Sequence, residues 1–273
     1  MNETVKLKYT AALGFAHAVT GFSIIMIKVH HLLIVFLIFF LFSLVLTTPV
    51  HVLWHQFGDD SGSDVKVNAL AGNLWRGQAD VVYGPDRYLV DWSFRPAYLL
   101  RGALSYDLTV GGSKANLEGQ VVRSLLRWQL LNLDGFVDLA TLNPTLARQR
   151  VSLSGHLWID DLSLGWSPGS GRLVADGDLD WRNGQSRFVW LGRPQDVRLP
   201  LIQANVSTDR AGLVQAKVTD ASADRPLADL ELDAELMAMY RIYTHIREVL
   251  NVNLPGGREI IMESRVGLRE YLL

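Results

Sequence analysis

Two hydrophobic periods divide the chain. The first is an unbroken run, "LLIVFLIFFLFSLVLTTPV" from Leu32 to Val50, uncharged and rich in Leu, Ile and Phe. As a helix at ~1.5 Å per residue it reaches ~28 Å, close to the hydrocarbon thickness of a bilayer. It predicts a transmembrane helix over residues 32–50. A cleaved signal peptide has a shorter apolar core and a small-x-small exit, and "LVLTTPVHVLW" offers neither. The helix is therefore read as an uncleaved anchor.

Beyond it the period falls to two, the mark of half-buried strands. Val90, Trp92 and Phe94 alternate with Asp91, Ser93 and Arg95. Leu104, Tyr106, Leu108 and Val110 alternate with Ser105, Asp107 and Thr109, up to the turn "GGS". "VSLSGHLWIDDLSLGW" gives Val151, Leu153, Gly155, Leu157 and Ile159, then Leu162, Leu164 and Trp166 after a predicted Asp160-Asp161 turn. "RLVADGDLDWRNGQSRF" gives Leu173, Ala175, Gly177, Leu179 and Trp181, with "RNG" as a hairpin signal. "AGNLWRGQADVV", residues 71–82, reads as one strand with Trp75, Gly77, Ala79 and Val81 in its apolar row.

The fold class is mainly β: a curved antiparallel meandering sheet with one apolar face, an N-terminal transmembrane helix and a short C-terminal helix. That last helix is predicted from Leu236, Tyr240, Tyr243 and Leu250 at 3.6 spacing, ended by "NLPGG". A closing strand follows through Ile260, Met262, Val266 and Leu268. Residues Leu125–Leu133, "LLRWQLLNL", fit strand or helical turn equally.

Gly77, Gly119, Gly155 and Gly177 each interrupt an apolar row. Glycines inside strands allow bends, bulges or close approach of another group. They predict curvature, either as room for neighbouring Trp rings or as the floor of a concave trough.

Charge orients the anchor. Lys6, Lys8 and Lys28 precede it, whereas Asp59, Asp60 and Asp64 follow it with Lys66. The Lys bias, though small, puts the N-terminus in the cytoplasm. The layout is then a cytoplasmic segment 1–31, a span 32–50, and a β-rich domain 51–273 across the membrane. In a Gram-negative cell that is a single-pass inner-membrane protein with a periplasmic domain. Ala11–Ile27 is apolar but holds His17, Thr20, Ser23 and two glycines, a poor span. "MIKVHH" resembles the basic lead-in of an anchored protein, so translation is expected to start at Met26. The competing reading is a helical hairpin.

Overall charge is nearly balanced, 26 basic against 28 acidic residues, and no continuous run of Lys and Arg offers nucleic acid a basic stripe. No nucleic-acid partner is expected. Cysteine is absent, which removes disulfides and thiolate chemistry.

The middle of the chain resembles the protein N family of the type II secretion system. The resemblance lies in "GNLWRGQADV", "LVDWSFRPAYLLRGALSYDLTV" and "LDGFVDLATL". The matching positions are Gly72, Leu74, Trp75 and Gly77, then Trp92, Pro96, Leu99, Leu100 and Gly102. It implies an inner-membrane anchor, a periplasmic β domain, and other secretion subunits as partners.

Candidate chemistry is thin. His51 and His55 have the spacing of a zinc pair, but no Glu lies between them as in the metalloprotease motif. Asp176, Asp178 and Asp180 mimic a calcium loop, yet Trp181 stands where it needs glycine and Arg187 where it needs Glu. "GSG" at 169–171 reads as a turn, and no Ser sits in a Gly-x-Ser-x-Gly elbow. No catalytic, cofactor-binding or metal residue is assigned, and no cofactor. Two non-enzymatic functions remain. One is a secretion-machine component acting by protein–protein contact in export of folded proteins across the outer membrane. The other is a lipid-binding or lipid-transfer module with acyl chains in an apolar groove, similar in architecture to AsmA-like bridge proteins. A groove filled by Trp75, Trp92, Trp181 and the Leu236–Leu250 helix favours the first, and an open groove the second.

Overall fold

A computed structural model describes residues 65–147, 150–190, 192–233, 235, 237–251 and 259–267, together with 35–37, 39–40, 43 and 47–50. The strands are β1 (Val65–Gly72), β2 (Arg76–Tyr83), β3 (Asp86–Phe94), β4 (Ala103–Gly112), β5 (Ala115–Ser124), β6 (Trp128–Asp138) and β7 (Ser152–Ser167). They continue as β8 (Arg172–Trp190), β9 (Arg193–Arg198), β10 (Ile202–Thr208), β11 (Val214–Asp220), β12 (Arg225–Leu232), β13 (Met237–Tyr243) and β14 (Ile260–Gly267). They form one 14-stranded antiparallel sheet in chain order, with β9 off the path as a partner of β8. The sheet is not closed: β1 and β14 are its two ends.

Register carries the sequence pattern across the whole sheet. One row runs Phe94, Tyr106, Val121, Leu130, Leu164 and Ala175, each opposite the next. Another runs Ile159, Leu179, Ala204, Val218, Ala228, Ile242 and Met262. The reverse face is polar: Asp160, Asp178, Asn205, Lys217, Asp229, Arg241 and Glu263 form a single row. Opposite charges alternate along its end, where Arg241 bonds both Glu231 and Glu263. A one-residue slip would exchange the faces, so the alternation fixes the register.

Several sequence expectations change. Residues 71–82 are not one strand. Asn73 Oδ1 accepts hydrogen bonds from the Trp75 and Arg76 amides, and this side-chain turn ends β1 and starts β2. The Asp160-Asp161 and "RNG" turns are not hairpins either; both lie inside the long strands β7 and β8. The ladder shifts between Asp160 and Ser163, with Asp161 at φ 47 facing Gly177 at φ 145. It shifts again between Ser154 and His156, with Gly155 at φ 101 beside Asn183 at φ 54. Turn residues here serve bulges, which bend a strand without ending it.

Nor is Leu236–Leu250 a helix throughout. Met237–Tyr243 is β13, and only Ile246–Leu250, here α2, is helical. Pairing to strands on both sides outweighs the 3.6 spacing. The undecided stretch resolves as a turn at Leu125–Leu126 followed by β6. The closing strand is present as β14.

Of the expected span 32–50, residues 35–37, 39–40, 43, 47 and 50 are described and helical, and Thr48 and Pro49 are described but not helical; the rest lies outside the described residues, as do residues 1–31 with Met26. Among the described residues no helix is long and apolar enough to cross a membrane. Pro49, at the end of the run, pairs with Asn73 in an isolated antiparallel bridge. Other helical segments are short and sit at strand ends: a 3-10 turn at Pro96–Arg101, another at Leu139–Leu142, and α1 (Asn143–Leu146).

Candidate functional site

The apolar face begins with an aromatic cluster. Trp75 meets Phe94 edge-to-face at 4.7 Å, and Phe94 meets Tyr106 at 5.2 Å. Such pairs add ~0.5–1.5 kcal/mol beyond their buried area. Trp92 Nε1 donates to the Asn73 carbonyl at 3.1 Å, tying β3 to the β1–β2 turn. A Cβ placed on Gly77 would lie 2.2 Å from the Trp92 ring and 2.6 Å from the Ala71 carbonyl. Gly77 is therefore there for the Trp92 ring. At Gly184 a Cβ would meet the Trp181 ring at 2.9 Å, while Trp181 Nε1 donates to the Ser154 carbonyl.

These rings line the face without plugging it: Trp75, Trp92 and Trp181 all stay half-exposed. The helix expected to cover them is strand β13, within the sheet itself. Ser105 is the one wholly enclosed side chain among those described. Exposed apolar residues continue along the face as Leu164, Trp166, Leu230, Met262 and Val266. Among the described residues, no second layer covers it.

The polar face holds an open recess of about 740 Å³, lined by Trp158, Asp160, Asp178, Asp180, Asn205 and Lys217 among others. Two of its carboxylates are engaged: Asp178 accepts from Asn205 at 2.8 Å, and Asp180 from Gln203 and Arg182. Asp176 lies on the same strand, opposite Ser163. Among the described residues no group of three His, Cys, Asp or Glu could hold a metal. His51 and His55 lie outside the described residues.

One buried polar cluster escaped the sequence reading. His245 Nε2 bonds Asp220 at 2.9 Å and its Nδ1 bonds Glu248 at 3.0 Å. Arg225 pairs with Glu248 at 2.9 Å. Burial pushes the Asp220 carboxyl up, but the His245 hydrogen bond and the Ser222 and Ala223 amides together hold it below its ordinary value. The cluster ties the β11–β12 turn to α2. It was illegible because Asp220 and His245 are 25 residues apart with no motif between them.

A second missed feature is the end of the sheet formed by the β1–β2, β3–β4, β5–β6 and β7–β8 turns. Gly72, Leu74, Trp75 and Gly77 fall in or beside the first of these turns. Trp92 leads to the second, and Pro96, Leu99, Leu100 and Gly102 lie within it. Both motif blocks thus converge on one rim, joined by the Trp92–Asn73 bond and by Phe94 N donating to the Trp75 carbonyl at 2.7 Å.

The architecture is an open β-meander whose apolar face has no covering layer among the described residues. Residues 63–243 match the family model for type II secretion system (T2SS), protein N; the chain belongs to that family. The match takes in β1 to β13, and β14 follows it. Comparison with curated proteins and with solved structures returns no match. The family gives the protein its role in type II secretion, in the bacterial cell envelope.

Proposed function

We propose that this chain is an inner-membrane-anchored, non-catalytic component of the type II secretion machinery, with its sheet in the periplasm. It works there by protein–protein contact with other subunits in the export of folded proteins across the outer membrane. Family membership over 63–243 carries this reading. The two sheet ends, β1 and β14, each paired on one side only among the described residues, support it, because exposed edges accept added strands. The exposed aromatic and aliphatic helix residues Val35–Leu37 and Phe39–Phe40 support the anchor.

A second reading, a lipid-binding or lipid-transfer module, is favoured by the uncovered apolar face. A photo-crosslinking amino acid at Leu230, exposed on that face, separates the two in secreting cells. Adducts with secretion subunits support the first reading. Adducts with lipid alone overturn it in favour of the second.

A further inference from the structure

The rim of β1–β8 differs from the rest of the surface. Leu100 is 93% exposed, Leu125 91%, Leu126 79% and Leu99 51%. These leucines are not scattered. Ala103 pairs with Ser124 and Leu104 with Arg123, so the two turns that carry them are neighbours. Trp128 and Trp166, opposite each other on β6 and β7, extend the same end and are also exposed. Isolated exposed leucines need no explanation, but a contiguous set at one end does.

The charge here is of one sign. Segments 71–78, 94–106, 121–131 and 162–175 form this rim and contain Arg76, Arg95, Arg101, Arg123, Arg127 and Arg172 but no Asp or Glu. Arg95 is neutralised by Asp107 at 2.6 Å. Among the described residues the other five meet no carboxylate. The Arg123 guanidinium lies over the Trp128 ring at 4.3 Å and that of Arg101 near Tyr98 at 5.8 Å. The whole chain carries a formal charge of −2, so this positive rim is a segregation of charge, not a reflection of composition.

Chain direction supplies the last observation. Pro49, where the apolar run 32–50 ends, is bridged to Asn73 on this same rim. The chain leaves that run at the end of the sheet where leucines and arginines are exposed. At ~4.8 Å per strand, β1 to β7 spans ~29 Å beside the exit.

The geometry points to a second membrane contact: the β1–β8 rim beds into the anionic surface of the bilayer that holds the anchor. Leu99, Leu100, Leu125 and Leu126 enter the acyl boundary, Trp128 and Trp166 sit at headgroup depth, and Arg101, Arg123 and Arg127 meet lipid phosphates. Apolar side chains flanked by aromatic and cationic ones are the composition of an interfacial binder. This inference rests on the anchored reading of residues 32–50. It adds that the sheet stands on the membrane by a defined edge.

The test uses the full-length chain mixed with phosphatidylglycerol–phosphatidylcholine vesicles carrying a doxyl-quencher lipid. The chain has no cysteine, so single variants Leu100→Cys, Leu126→Cys and, at the opposite end, Ser113→Cys take one fluorophore each. Quenching at 100 and 126 but not at 113 is the expected result. Arg101→Gln and Arg127→Gln should each lower the docked-to-undocked ratio about fivefold, from ~1 kcal/mol per arginine at an anionic surface. Alkaline washing of floated vesicles reads the anchor separately. Chains that resist the wash while 100 and 126 quench no more than 113 overturn the rim contact and leave the anchor standing. Chains stripped by the wash, yet quenched at 100 and 126, overturn the anchor and leave the rim contact. Equal quenching in pure phosphatidylcholine vesicles overturns the role given to the arginines.

Discussion

The two ends of this sheet are built from the same strands and solve their polar groups in opposite ways. At the end holding the β2–β3, β4–β5 and β11–β12 turns, several charges are met from within. Lys114 pairs with Asp86 at 3.2 Å, Asp138 caps the Ala140 amide, and His245 joins Asp220 to Glu248. At the β1–β8 rim, five arginines meet no carboxylate among the described residues and four leucines stand exposed. An end whose charges are paired in this way needs no charged partner. An end with unmet cations and bare apolar side chains carries a free-energy cost that a partner relieves.

The largest effect should come from the sheet that joins the ends. Gly77→Val drives a branched side chain into the Trp92 ring and the Ala71 carbonyl. We expect a loss of about 3 kcal/mol, the upper range for overpacking, in thermal or urea unfolding. A variant as stable as wild type would mean that the rim aromatics are not a packed unit.

Next comes the end with the paired charges. His245→Ala leaves Asp220 and Glu248 without the ring they share and should cost about 2 kcal/mol. Fluorophores at Leu100 and Leu126 should report unchanged membrane contact. If contact also falls, the two ends are not independent.

A smaller effect follows from acid. The Asp220 pKa is lower in the folded chain than in the unfolded one, so its contribution to stability is complete above the unfolded value of ~3.9 and is lost as pH falls toward the folded value. The melting temperature should therefore decline more steeply below about pH 4 than that of Asp220→Asn, which lacks this linkage. Parallel curves for the two proteins would remove Asp220 from the account.

The sequence made one half of this picture legible and hid the other. Period-two alternation is set by the pleat, so the faces of β3 and β4 could be read from neighbours two apart. Bulges could not be told from turns. Gly and Asn favour positive φ in both, and only the continued pairing of β7 with β8 decides between them. The misread β13 shows the same limit: Tyr240 and Tyr243 fit a helix by spacing, but Tyr240 faces Leu230 and Ser264 across a ladder. The rim was hidden for a topological reason. Its arginines are spaced singly along the chain, and antiparallel turns gather every second connection at one end.

The central claim is that the two ends differ in what covers them, and reagent accessibility tests this directly. Full-length chains carrying Leu126→Cys or Ser113→Cys are treated with a membrane-impermeant maleimide, in membrane fragments open from both sides. The account predicts rapid modification at 113, and protection at 126 that is lost when detergent dissolves the bilayer. Equal rates at the two positions before detergent would contradict it.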